Sequence, residues 1–241
     1  MRIIEVENYD EMSDKAAAMI ASQIILKSNS VLGLATGSTP IGTYKKLIKM
    51  YNNKKVDFSE VKTFNLDEYY GITDENKHSY HYYMVENLFK HINIDKKNIN
   101  IPNGMAKDIK EECEEYEKKI KASGGIDLQI LGIGINGHIG FNEPDAKFEA
   151  QTHLVNLDEK TIKANSRFFN SIDEVPTKAI SMGIKTILSS KKIVLLANGV
   201  SKAEVVAEAI NGKISPEVPA SILQLHKDIT MIVDKAAGSK L

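Results

Sequence analysis

Strand-like and helix-like stretches alternate along the chain, and this alternation constrains the fold more than any other feature. "MRIIEVENYD" at the N-terminus reads as a first strand. "SVLGLATG" (30–37) is an apolar run ending in glycine, and "PIGTYKKLIKMY" (40–51) then takes up helical periodicity. Further strand candidates lie at 61–66, 126–134, 152–157, 178–183, 191–199 and 228–234. Helical candidates lie at 79–92, 108–123 and 201–213, with a helix or lid at 159–169. In 108–123, Ile109, Cys113, Tyr116 and Ile120 fall on one face, and "GG" ends the run. No repeat, low-complexity tract or long Pro/Gly/Ser linker interrupts the series. The pattern predicts one α/β domain over residues 1–241, Rossmann-like, with a mostly parallel sheet and helices on both faces.

A formal net charge of −1 gives no global pull towards nucleic acid or an acidic membrane, so any anion site must be local. No apolar run approaches the ~20 residues that span a bilayer, and the N-terminus has no apolar leader segment. A single cysteine, Cys113, makes no internal disulfide and fits a reducing compartment. Its acidic neighbours in "EECEEYEKKI" disfavour a thiolate, so no nucleophilic role is expected. The expectation is a cytoplasmic protein with neither membrane nor nucleic-acid partners.

In parallel sheets, ligands sit outside the C-terminal ends of the strands. Four predicted strands run into "TGSTP", "LDEYYG", "GINGHIGFNEP" and "ANGVSK", which makes these loops candidates for one crevice. In the first, Thr39 is placed as a helix N-cap and Pro40 as the first helical residue. Gly37, Ser38 and Thr39 then form either an anion site at a helix start or an ordinary cap, and the stretch alone fits both. A nucleotide P-loop is excluded, because Thr43 stands where lysine is needed and Pro40 intrudes. In the second loop, Asp67 and Glu68 follow a strand. A carboxylate there suits general-base work, though the stretch by itself favours a solvated acidic turn. Tyr69 and Tyr70 read as packing.

The third loop, "GIGINGHIGFNEPD", contains G-x-G-x-x-G at Gly132, Gly134 and Gly137. Asp158 even supplies an acid at a distance suited to a dinucleotide site. But Gly140 and Pro144 follow at once, and an interior proline costs a helix ~3 kcal/mol and a glycine ~1. The helix that a dinucleotide site needs cannot fit. What remains is a loop bearing Asn136, His138 and Glu143: an imidazole beside a carboxylate that would orient it and raise its pKa. Backbone satisfaction of His138 in a tight glycine loop is the competing reading, and the acid–base reading is favoured. His78 and His81 are three apart while His153 and His226 are isolated, so no metal site is expected. Two cations stand out. Lys202 opens a predicted helix, where it opposes the helix dipole unless an anion binds. Arg167, in "NSRFF", is suited to a bidentate phosphate clamp.

Taken together, "LATGSTPIGTYKKL", "FNLDEYYG", "GIGINGHIGFNEP", "NSRFF", "LANGVSKAEVV" and "PASILQLH" resemble the glucosamine-6-phosphate deaminase (isomerase) family nearly end to end and in the same order. The resemblance implies conversion of glucosamine 6-phosphate and water to fructose 6-phosphate and ammonia, without an organic cofactor. It implies Asp67 as the base at C2, His138 as the group that opens the pyranose ring, and Glu143 as its partner. Asn136 occupies a position that is Asp in some members. Substrate phosphate is implied at Gly37, Ser38 and Thr39 with Arg167 and Lys202, and a closing lid at 157–177. Allosteric members are longer at the C-terminus and carry cations after "FNEP", where this chain has His153 and Val155. A short, monomeric form without activation by N-acetylglucosamine 6-phosphate is therefore expected. The alternatives are a 6-phosphogluconolactonase-like hydrolase, whose Asp-Glu-Arg run is Asp-Glu-Tyr here, and a non-catalytic sugar-phosphate sensor.

Overall fold

Alternating strands and helices build a computed structural model that describes residues 1–241, the side chain of Phe168 excepted. The strands are β1 (Arg2–Val6), β2 (Val31–Leu34), β3 (Lys62–Asn65), β4 (Asp67–Tyr69), β5 (Ile99–Asn100), β6 (Leu128–Gly132), β7 (His153–Asn156), β8 (Lys178–Ser181), β9 (Lys192–Ala197) and β10 (Ile229–Asp234). The helices are α1 (Tyr9–Leu26), α2 (Ile41–Asn52), α3 (Tyr80–Asn87), α4 (Ile109–Ala122), α5 (Glu159–Asn165), α6 (Ile184–Leu188) and α7 (Ala203–Asn211).

Seven strands form one sheet in the order β1-β10-β9-β6-β2-β3-β5, and every pairing in it is parallel. Strands β2 and β10 are buried at every position, and β6 and β9 at all but one. Such near-continuous apolar runs need cover on both faces, which the helices supply. From β2 the chain builds outward through β3 to β5. On its other side, β6 leads to β9 and β10. The direction of growth thus reverses between β2 and β6, and a crevice opens beyond their C-terminal ends.

The remaining strands make a small antiparallel sheet in the order β4-β8-β7. Asp67 and Glu68 therefore do not sit in a solvated turn. They belong to their own strand, with Asp67 paired to Ser181. Tyr69, Phe141, Leu157 and Ala179 form a minor core under this sheet.

Two helices lie where the strand–helix alternation gave no element. The 18-residue α1 is capped by Asn8, whose side chain accepts the N–H groups of Asp10 and Glu11 at 3.0 and 3.1 Å. Its buried face carries Met12, Ala16, Ile20 and Ile24, one turn apart, and packs on α2 and β10. The short α6 follows β8. The 79–92 stretch is helical only to Asn87, then tightens to a 3₁₀ turn at Phe89–His91.

The opposite end of the sheet is tied by Asp127. Its buried carboxylate accepts the Val31 N–H at 2.8 Å and meets Lys27 and Lys191 at 2.6 and 2.7 Å. Burial raises the carboxyl's pKa, but the two ammonium groups and the N–H outweigh it, and the net displacement is downward. Asp127→Ala would orphan the start of β2, at a cost of about 2–4 kcal/mol in urea unfolding at neutral pH. A depressed folded-state pKa contributes stability that is lost as pH falls. The gap between wild type and variant should therefore narrow below about pH 4.

Candidate active site

The four strand-end loops meet. A crevice of about 500 Å³ is lined by Ala35–Thr39, by Leu66 and Asp67, by Gly132–Ile135 with His138, Gly140 and Phe141, and by Asn198, Gly199, Ser201 and Lys202, with α5 and Arg167 across it. A larger hollow of about 740 Å³ near Ile25 and Lys54 has none of these loops in its lining.

After β2 the chain turns at Gly37, whose φ of +91° suits glycine. Two tyrosines hold this loop. Tyr83 donates to the Gly37 carbonyl at 2.6 Å, and Tyr9 donates to that of Ser38 at 3.1 Å. The Tyr9 hydroxyl also accepts the N–H of Gly42 at 2.8 Å. That bond explains a departure from the sequence reading. Thr39 is not the cap of α2: Pro40 occupies the cap position and no side chain caps the helix, because a tyrosine from α1 takes a first-turn donor.

On β4, neighbouring carboxylates point into different surroundings. Glu68 accepts the N–H groups of Tyr69, Tyr80 and His81, each at 2.8 Å, and so ties β4 to the start of α3. Burial lifts its carboxyl to about 7 against those three donors. Asp67 is buried, and its Oδ1 meets no donor among the described residues. Burial, with the charge of Glu68 adding, pushes it up to about 8. A carboxylate without donors in a dry site is a stronger base than one in water.

The glycines after β6 make room for a histidine. The next element after β6 is the strand β7, so no crossover helix starts at Gly132. A Cβ on Gly134 would fall 2.3–2.5 Å from three ring atoms of His138, so the imidazole lies against bare backbone. Gly137, at φ +85°, makes the turn that returns the ring. His138 Nδ1 stands 3.3 Å from Glu143 Oε2, and Asn136 Nδ2 donates to the same oxygen at 2.8 Å. The Asn136 Oδ1 accepts the His138 N–H at 3.3 Å. Burial raises the Glu143 carboxyl, yet contacts with His138, Thr161 and Asn136 outweigh it and hold it below the ordinary value. Phe141 N–H donates to Ser181 Oγ at 3.0 Å, which fixes this loop to β8.

Beyond β9, Lys202 reaches the crevice from a 3₁₀ turn just before α7. Burial, and then the charge of Arg167, pulls its ammonium down to about 8. Arg167 Nη2 approaches Ser38 Oγ at 3.4 Å, so the arginine leans on the first loop. Asn165 donates to Tyr69 Oη at 2.9 Å, which joins the segment carrying α5 to β4.

Of the residues singled out in the sequence, Gly37, Ser38, Thr39, Asp67, His138, Arg167 and Lys202 line the crevice. Asn136 and Glu143 do not: they hold His138 from outside, and Glu143 lines a separate hollow of about 310 Å³. The crevice also takes in Thr36, Tyr80, Lys160, Thr161, Asn198 and Ser201. The spacing of Lys160, Thr161, Ala164 and Asn165 on one helix face was the signal available for the α5 members. Cys113 is buried in α4, its thiol pushed up to about 11 by burial and by Glu112 and Glu117. His226 is buried and bonded to the Ser190 carbonyl and the Asp228 N–H. No helix among the described residues is long and apolar enough to cross a membrane.

The sequence model of the family "Glucosamine-6-phosphate isomerases/6-phosphogluconolactonase" matches residues 6–232. The chain belongs to this isomerase/lactonase family. Within it, a glucosamine-6-phosphate deaminase of Clostridium botulinum (strain Langeland) is 70% identical over 241 residues, covering 100% of this chain and 99% of the relative. One from Clostridium acetobutylicum is 67% identical over the whole of both chains. Among solved structures, a monomeric glucosamine-6-phosphate deaminase aligns with TM-score 0.98 at 48% identity, over 100% of both chains. A 6-phosphogluconolactonase from Thermotoga maritima aligns at TM-score 0.77 and 20% identity, covering 97% of this chain and 99% of that one, a likeness of fold.

The raised carboxyl of Asp67 has a consequence for stability. A group whose pKa is raised by folding costs stability as pH climbs from its unfolded value, near 3.9, through about 8. Asparagine stays neutral throughout. Asp67→Asn should therefore gain on wild type across that window, by at least about 1 kcal/mol in urea unfolding near pH 8.

Proposed function

We propose that this protein is a glucosamine-6-phosphate deaminase, turning glucosamine 6-phosphate and water into fructose 6-phosphate and ammonia. One observation supports the reading above others: a buried carboxylate, Asp67, whose Oδ1 meets no donor among the described residues, lines the same crevice as the His138 imidazole and the cations Arg167 and Lys202. The names of the relatives at 67–70% identity agree with it.

In this reading the Gly37–Thr39 loop, Arg167 and Lys202 bind the phosphate. An anion there raises the depressed pKa of Lys202 and keeps it charged. Phosphate binding far from the reacting carbons then orients them. His138 takes the proton of the O1 hydroxyl and gives it to the ring oxygen, and the pyranose opens to the aldehyde. Glu143, carrying a full negative charge, stabilises the imidazolium that forms in between. Asn136, a neutral amide, fixes the position of Glu143 and contributes no charge. Asp67 takes the C2 proton, the C–H electrons form the C1–C2 double bond, the carbonyl electrons move to O1, and O1 takes a proton from the neighbouring C2 ammonium. The same residue returns a proton to C1. This leaves an imine at C2, and water adds there to release ammonia and the ketone.

Segment 157–177 acts as a lid in this account. Asn165 on Tyr69 and Arg167 beside Ser38 are the contacts that would hold it closed and keep bulk water out. The protein acts as a monomer, as does the 48%-identical neighbour. A lactonase would have no C–H bond to break and no need for a base of this strength, and the similarity to lactonases is one of fold.

Incubation with glucosamine 6-phosphate in D₂O tests the assignment. Wild type should release ammonia and exchange the C2 proton with solvent, and should release no acid from 6-phosphogluconolactone. Asp67→Asn should lose exchange and turnover by roughly 10²–10⁴-fold. Exchange that survives the substitution would remove Asp67 from its role, and acid without ammonia would replace the deaminase reading by the lactonase one.

A further inference from the structure

The last strand ends in a buried carboxylate that the reaction does not use. Asp234 accepts the N–H of Gly199 through both oxygens, at 3.0 and 3.1 Å, and that of Ala237 at 2.8 Å. It does not line the crevice. The parallel ladder between β9 and β10 stops at Ala197 paired with Val233, so the backbone beyond Ala197 has no strand partner there. The Asp234 side chain extends the attachment to Gly199.

Gly199 is held from both sides. Its N–H goes to Asp234, and its carbonyl accepts the N–H of Lys202 at 3.0 Å. Its φ of +86° with ψ of 150° is open to glycine alone, while a Cβ there would meet nothing within 4 Å. The glycine is therefore required by the path of the backbone and not by crowding. That path aims the turn so that Ser201 and Lys202 face the crevice.

We propose that Asp234 is a positioning residue for the anion site: by clamping the Gly199 peptide, it sets where the Lys202 ammonium stands. The proposal rests on the reading of Lys202 as a phosphate ligand. A carboxylate near an anion site would ordinarily weaken anion binding. Here its lone pairs face backbone donors, which absorb the charge and turn it into geometry.

The test uses inorganic phosphate as a competitive probe on the intact enzyme, with unfolding midpoints measured alongside. Lys202→Ala should raise the phosphate inhibition constant. Asp234→Ala should raise both that constant and KM about tenfold, the equivalent of one well-placed hydrogen bond, and change kcat far less. Asp234→Asn keeps one acceptor and should fall between. Gly199→Ala keeps the carboxylate but forces the turn, and should match Asp234→Ala. The Gly199→Ala/Asp234→Asn double variant should be no worse than the worse single. If Lys202→Ala weakens phosphate but Asp234→Asn and Gly199→Ala do not, whatever their unfolding midpoints, the positioning role is wrong and Asp234 merely closes the strand. If Lys202→Ala itself leaves phosphate binding intact, the phosphate assignment falls and this proposal falls with it.

Discussion

The parallel ladder through β9, β6 and β2 decides everything that happens at the crevice. Its register sets Leu32 beside Leu128 and Leu128 beside Lys192, so the three strands release their loops on the same side of the sheet, β2 slightly short of the other two. A one-residue slip would turn each strand's side chains to the opposite face. Asp127 ties the strands together at their other end. The antiparallel sheet then adds what parallel strands cannot supply: β4 doubles back against β8 and delivers Asp67 into the crevice from the side.

Burial acts on the two ends of this site in opposite senses. It makes Asp67 hold its proton up to about 8 and lets Lys202 lose its proton near about 8. Both shifts destabilise the charged forms that the proposed chemistry uses, so the empty site is electrostatically costly and the large core must offset it. A phosphorylated substrate reverses part of that cost, because its dianion favours the charged lysine. Glu68 and Glu143 illustrate the other use of buried carboxylates. Glu68 spends its lone pairs on backbone donors, while Glu143 takes the Asn136 amide on Oε2 beside the His138 ring, and each carboxylate holds a neighbour in place.

Most of the fold was legible because strands buried on both faces leave continuous apolar runs, and the loops between them carry Gly, Pro and polar residues. Helix α1 was hidden for a physical reason: its buried face mixes Ala16, Ala17, Ala21 and Ser13 with Met12, Ile20 and Ile24, while Ile25 and Leu26 are exposed, so the contrast between faces is weak even though Asn8 marks its start. The capping of α2 was misread because its donor goes to Tyr9, 33 residues earlier in the chain, which no local pattern reveals. Asp67 read as part of an acidic turn on local evidence, since only tertiary packing makes it dry. In the loop with His138, the lack of a helix was legible from Gly140 and Pro144, and Glu143 does stand beside the imidazole. Tyr80 and Asp234 bore no signal, because their contributions depend on contacts across the sheet.

The most direct measurement is a crystal structure with a reduced, non-reactive analogue of glucosamine 6-phosphate. The account predicts phosphate oxygens within hydrogen-bond reach of the Ser38–Thr39 backbone, Arg167 and Lys202, and C2 about 3–3.5 Å from an Asp67 oxygen. An analogue seated with its phosphate elsewhere, or with C2 turned away from Asp67, would contradict it.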